Sequence, residues 1–285
     1  MTPTPAFIRQ FTCGALFAAA ALAAFTPAAA QTLPERIAKT KVIKISVNAI
    51  YPPMEFKNPE TGKLTGFDID LGEALAKELG VTLEWQESAF EQLIPSLQTG
   101  RADMILSGLN DRPARRETLD FVDYLTSGVQ FYTLASRTAV TSPGDLCGKT
   151  VGTSRSTAFP AEIKTWSDAN CVAAGKAPIT VEGTSDNAAA RAQLKQERFE
   201  GGAQGSETVP YTMSLEPNVY KPLGAPFGGA QQGIAFTKAD TQLRDAVLAA
   251  FRKLIANGTY GTIVAKWNLQ ASAVKQAAVN GVAAP

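Results

Sequence analysis

The chain offers few groups that could carry out catalysis. It contains no histidine. That excludes Ser-His and Cys-His nucleophile pairs, histidine-held metals and the usual base near neutral pH. Chemistry would fall to carboxylates, lysine, tyrosine or a bound cofactor. Asp68 and Asp70 stand two residues apart in a helical pattern, so their side chains diverge. They read as first-turn acids complementing a helix dipole, not as a metal-binding or catalytic pair. The run Gly144-Asp145-Leu146-Cys147-Gly148-Lys149-Thr150 looks like a phosphate loop. It has three residues between its glycines where four are required, and Lys149-Thr150 open a strand instead of a helix. Asn257-Gly258-Thr259 matches a glycosylation triplet but supplies no reactive group of its own.

Composition bounds the elements that must position any such groups. The 285 residues are 45% hydrophobic and 19% charged, a globular balance with enough apolar material for one or two cores. Lysine and arginine number 27 against 26 acids, a net charge of +1. Nucleic-acid partners usually present a basic face, so this balance argues against them. Residues 1–30 read as an export signal. Arg9 is the only charge before Glu35, the apolar run 13–25 is too short to span a bilayer, and Ala28 and Ala30 fit a cleavage motif. Cleavage is predicted after Ala30, which places the mature chain in a bacterial periplasm. Pro27 disfavours an uncleaved anchor, and Cys13 precedes the apolar core where a lipobox cysteine would follow it. The mature chain then keeps two cysteines, Cys147 and Cys171. An oxidising compartment favours a disulfide between them, the alternative being two separate buried thiols.

Strand and helix signals alternate along the mature chain. Strands are expected at 42–47, 81–85 and 102–106, with helices at 68–79 and 90–98. Leu71, Leu75 and Leu79 recur every fourth residue and Gly80 stops the first helix. A second series has strands at 131–135, 150–153 and 179–181, with helices at 158–169 and 187–196. A strand at 233–236 and helices at 243–256 and 260–267 close it. The alternation implies an α/β fold with parallel sheets. Residues after Leu269 carry no cap signals and are expected to fray.

Several of these segments also carry a family pattern. Gly66-Phe67-Asp68-Ile69-Asp70-Leu71, followed by Leu75-Ala76 and Leu79, resembles the signature of the family 3 periplasmic solute-binding proteins, the polar amino-acid receptors of ABC importers. Tyr51-Pro52-Pro53-Met54-Glu55-Phe56 resembles the family's opening turn. Phe90–Leu97 as FEQLIPSL and Gly100-Arg101-Ala102-Asp103 resemble its second helix and strand. Ser107-Gly108-Leu109 with Arg115 and Asp120-Phe121-Val122-Asp123 resembles its ligand-binding stretch. Asn257-Gly258-Thr259-Tyr260 with Lys266-Trp267 resembles its closing helices. The likeness spans about residues 41–269. It implies a two-lobe periplasmic binding protein fold of type II with a hinge of two crossing strands. Lobe 1 would hold 32–129 and 233–270, lobe 2 would hold 130–232, and 271–285 would be a flexible tail. The crossings would fall near 127–130 and 231–233, with Gly128 and Gly233 absorbing the dihedral change.

Site roles are carried over from the same resemblance. Arg115 matches the family's carboxylate-binding arginine, whose guanidinium gives two parallel donors; Arg112 and Arg116 are then expected to be solvated. Ser107 would offer a hydroxyl and Gly108 a close backbone approach at a strand end. Asn110 stands where the family has Ser or Thr. Thr157 matches the lobe 2 hydroxyl that completes the carboxylate site. Tyr51 and Phe90 match the aromatics that sandwich the ligand side chain, and Asn48 matches a position often filled by Asp. One departure concerns the family's lobe 2 Asp, which binds the ligand's ammonium. That position falls on Gly205. Either Glu207 takes over the ammonium, or the ligand is not a plain α-amino acid.

The expected function is a monomeric periplasmic receptor that captures a small carboxylated, nitrogen-containing solute by lobe closure. It needs no cofactor and delivers the solute to an ABC transporter permease. The alternatives are a cyclohexadienyl dehydratase-like enzyme on the same fold, with Glu207 as its acid, or a ligand-sensing partner of a chemoreceptor.

Overall fold

The computed structural model describes residues 1–3 and 32–283. The apolar run and cleavage point of the expected export signal lie outside those residues. Two long strands, Leu119–Leu134 and Tyr220–Thr237, run antiparallel to each other through the middle of one large sheet. On one side, Val42–Val47 pairs in parallel with Thr82–Glu87 and with Met104–Ile105. On the other, Thr150–Ser154 pairs in parallel with Thr180–Thr184 and Gly201–Gly205. Parallel neighbours require a crossover, and the helices between these strands supply it. The expected parallel sheets are therefore present as two blocks, and the long strands join them into a mixed sheet.

Each block has its own core. Ile43, Ile45, Phe67, Leu71, Val247 and Phe251 are buried in the first. Phe131, Val151, Phe159, Ile163 and Ala203 are buried in the second. The helix Phe67–Leu79 illustrates how the sequence builds a block. Leu71 and Leu75 face inward, and Gly80 ends the helix at φ 67°, a conformation that costs a Cβ-bearing residue energy. Gly72 lets the Trp85 ring lie against the helix; a Cβ there would stand 2.8 Å from it. Cys147 and Cys171 form a disulfide with Cα atoms 5.5 Å apart. It ties the turn Pro143–Leu146 to the end of helix Phe159–Asn170, both in the second block.

Two sequence expectations require correction. Residues 271–285 do not form a frayed tail as far as they are described. Ala273–Val279 is a strand paired with Leu119–Leu134, and Ala277 and Ala278 are buried. The Gly281 N–H donates to Asp123 and the Asn280 side chain to Asp120, so polar bonds hold a segment that no cap signal announced. The helix expected at 90–98 is a 3₁₀ turn, Phe90–Gln92, followed by helix Leu93–Gln98. The second long strand carries two left-handed glycines, Gly224 and Gly228. Gly228 lies against Glu162, where a Cβ would collide with the carboxylate.

Candidate functional site

The carboxyl ends of four strands, two from each parallel block, converge on one cavity of about 170 Å³. Asn48 follows strand Val42–Val47, Gly108 follows Met104–Ile105, Ser156 follows Thr150–Ser154, and Asp186 follows Thr180–Thr184. Open α/β sheets bind ligands at this edge, because the loops there are free to carry polar groups. Arg115 enters the cavity from the short helix Pro113–Arg116. Its Nη1 donates to the Asn110 carbonyl at 2.7 Å, which fixes the guanidinium plane. No carboxylate forms an ion pair with it among the described residues. Burial, then the neighbouring Arg112 charge, lower its pKa to about 10. It stays charged at neutral pH, attracted only at longer range by Asp111, whose oxygens Arg116 holds.

Arg112 and Arg116 are both committed to acids. Arg112 forms an ion pair with Glu162, joining the segment after Leu109 to helix Phe159–Asn170. Arg116 grips both oxygens of buried Asp111 at 2.5 and 2.7 Å. Of three neighbouring arginines, only Arg115 is left for a solute.

Tyr51 and Phe90 both line the cavity, as does Thr157. The Thr157 hydroxyl donates to the Ser154 carbonyl at 2.9 Å and accepts from the Phe159 N–H at 3.2 Å, seating the start of the following helix. Gly108 has φ 52°, and a Cβ on it would stand 3.0 Å from the Tyr51 ring. Glycine therefore lets that ring sit over the strand end. The Tyr51 hydroxyl donates to Glu207 Oε1 at 2.7 Å. Glu207 is buried and also accepts from Gln232 at 2.8 Å and Ser127 at 2.5 Å. Burial raises its pKa, and the three donors oppose the rise. A Cβ on Gly205 would collide with both the Glu207 carboxylate and the Tyr51 hydroxyl. The carboxylate of Glu207 thus fills the space that a side chain at 205 would take, but Glu207 does not line the cavity.

Ser107 also lies behind the cavity wall. Its hydroxyl accepts from the Asn48 N–H at 2.9 Å and donates to Glu55 at 2.8 Å. The Asn48 side chain lines the cavity while donating to the Ser88 carbonyl at 2.7 Å. Asp68 and Asp70 diverge as expected. Asp70 faces outward to Lys266 and Trp267. Asp68 is fully buried, which a first-turn dipole role does not explain; it accepts from the Gly108 N–H at 2.8 Å and the Tyr124 hydroxyl at 3.0 Å. Sequence reasoning also missed Ser185, Asp186 and Asn187 in the cavity wall. Asp186 caps helix Asn187–Lys195 by accepting from the Ala189 N–H at 2.7 Å. A cap residue straight after a parallel strand was the available signal.

Loops from both blocks of the sheet thus meet around an unpaired guanidinium, an arrangement suited to a receptor for a small anionic solute. Residues 43–270 match the family described as bacterial extracellular solute-binding proteins, family 3, and the chain belongs to that family. An arginine-binding protein of Corynebacterium glutamicum is 32% identical over 250 residues, covering 87% of this chain and 81% of its own. An ancestral arginine-binding protein solved with arginine superposes with a TM-score of 0.71 at 28% identity, covering 80% of this chain and 98% of its own. An ancestral amino-acid-binding protein, a precursor of cyclohexadienyl dehydratase, superposes at 0.72 with 27% identity, covering 81% and 97%. The fold is the type II periplasmic binding fold.

Proposed function

We propose that this chain is the periplasmic solute-capturing component of an ABC importer and takes a small amino acid, with a cationic one such as L-arginine the first to test. The unpaired Arg115 guanidinium in the cavity carries this reading, because a half-buried cation without an ion-pair partner is relieved by a carboxylate. Acids also line the cavity, Glu91 and Asp186 among them, so a solute with a cationic nitrogen at its other end is complementary. Asn48, Tyr51, Phe90, Gly108, Asn110 and Thr157 would surround it, with Ser107 and Glu207 supporting the wall from behind. The two blocks would act as lobes, 32–129 with 233–270 and 130–232, closing about the long strands. The Arg112–Glu162 and Tyr51–Glu207 contacts would then hold the closed form. An export signal removed after Ala30, a monomeric state and a membrane permease as partner complete the proposal.

Capture without turnover is favoured over a dehydratase-like reaction. The Glu207 carboxylate has three donors and no surface on the cavity, so it is poorly placed to protonate a solute. A thermal-shift screen of the twenty amino acids, opines, amines and small organic acids tests the reading. A ligand at 100 times its Kd adds about 2.7 kcal/mol, which is roughly 5–10 °C for a chain of this size. Absence of a shift with every amino acid would overturn it.

A further inference from the structure

We infer that Glu55 and Asp68 form a proton-binding pair: one proton held between their facing oxygens seats Ser107 and Gly108, and through them the floor of the cavity. The inference does not depend on which solute the cavity takes.

The two carboxyls are 1% and 0% exposed. Each has one oxygen committed outward. Glu55 Oε1 accepts from the Ser107 hydroxyl, and Asp68 Oδ2 accepts from the Gly108 N–H and the Tyr124 hydroxyl. The remaining oxygens, Glu55 Oε2 and Asp68 Oδ1, are buried without any donor, while the two side chains are in hydrogen-bonding contact. Buried oxygens rarely go unpaired, and two acceptors can bond only if a proton lies between them. No cation neutralises the pair among the described residues. The titratable groups facing it are Glu207, Tyr51 and Tyr124, none of them positive, and Arg115 lines the same cavity as Glu55. A second buried pair, Asp111 and Asp123, makes the contrast: there Arg116 grips Asp111 directly.

Burial pushes both groups up, Asp68 to about 7 and Glu55 well above the carboxylate range, and Asp68 adds a repulsion to Glu55. An unfolded chain sheds these protons near pH 4. The folded state therefore holds more protons than the unfolded state between about pH 4 and 7. Its stability falls as pH rises through that window and goes on falling until the raised Glu55 carboxyl has also ionised.

The hydrogen-bond polarity makes a specific mutational prediction. In Glu55→Gln the amide oxygen still accepts from Ser107, and the amide N–H₂ replaces the proton toward Asp68. In Asp68→Asn the oxygen still accepts from Gly108 and Tyr124, and the N–H₂ points at Glu55. The double variant aims two N–H₂ groups at each other with no acceptor. Thermal melts from pH 4 to 9, without ligand, should show both single variants folded with a flatter profile than wild type over pH 4–7. The double variant should melt lower than the sum of the single shifts allows. Infrared difference spectra of the wild type should show a buried protonated carboxyl band at pH 6 that either single variant removes. Additive melting shifts, an unchanged profile in both single variants, or a wild type without that band would overturn the inference.

Discussion

Replacing Arg115 by alanine should weaken solute binding by roughly 30-fold to several thousand-fold. The guanidinium is held by one bond to the Asn110 carbonyl, which leaves its other donors to the cavity. Removing one member of a desolvated charge pair costs about 2–5 kcal/mol, since the other charge stays buried without a partner. At about 1.4 kcal/mol per tenfold this gives the stated range. Arg115→Lys should recover only part of the loss, because an ammonium cannot make two parallel bonds to a carboxylate. Arg112 and Arg116 are unsuitable as neutral controls, since both are committed to acids; exposed Arg198 serves better. Arg112→Ala should cost about 1 kcal/mol, or roughly fivefold, through the partly exposed pair with Glu162. Calorimetry with the solute identified by thermal shift checks all four variants. Wild-type affinity in Arg115→Ala would refute the reasoning and place the anion clamp elsewhere.

Three further outcomes concern the framework around the site. Reducing the Cys147–Cys171 disulfide, whose loop spans 24 residues, should lower stability by roughly 3 kcal/mol in the chain-entropy account; equal melting with and without reductant would contradict it. Ending the chain at Leu269 removes the strand Ala273–Val279 and the bonds from Asn280 and Gly281 to Asp120 and Asp123. That should cost at least about 2 kcal/mol, read as a loss of melting temperature that a truly frayed tail would not produce. Gly205→Ala forces a Cβ into the Tyr51 hydroxyl and Glu207 carboxylate and should cost about 1–3 kcal/mol by overpacking; an unchanged denaturant midpoint would show that the wall rearranges freely.

Local chemistry along the chain makes the class of this protein legible. Leucine periodicity with a stop glycine sets the helix Phe67–Leu79, and strand–helix alternation sets an α/β fold. Cys147 and Cys171, the two cysteines outside the expected export signal, form the expected disulfide. Family pattern places Arg115, Tyr51, Phe90 and Thr157, and all four reach the cavity. These signals succeed because they depend on residues close in sequence or on a pattern read in order. Tertiary structure alone decides which polar groups remain free for a solute. Arg112 and Arg116 look like Arg115 in sequence, yet their acids arrive from Glu162 and Asp111. Ser107 and Glu207 are expected at the solute and are instead consumed by partners as distant as Asn48 and Ser127. Asp68 reads as a first-turn helix acid until Gly108, Tyr124 and Glu55 close around it. A charge's burial and its partners are properties of the folded surroundings, contributed for Arg112 by Glu162 fifty residues away, although Asp111 stands only five residues from Arg116. Family pattern therefore brings several cavity residues to notice, while the fold decides which polar groups stay free there.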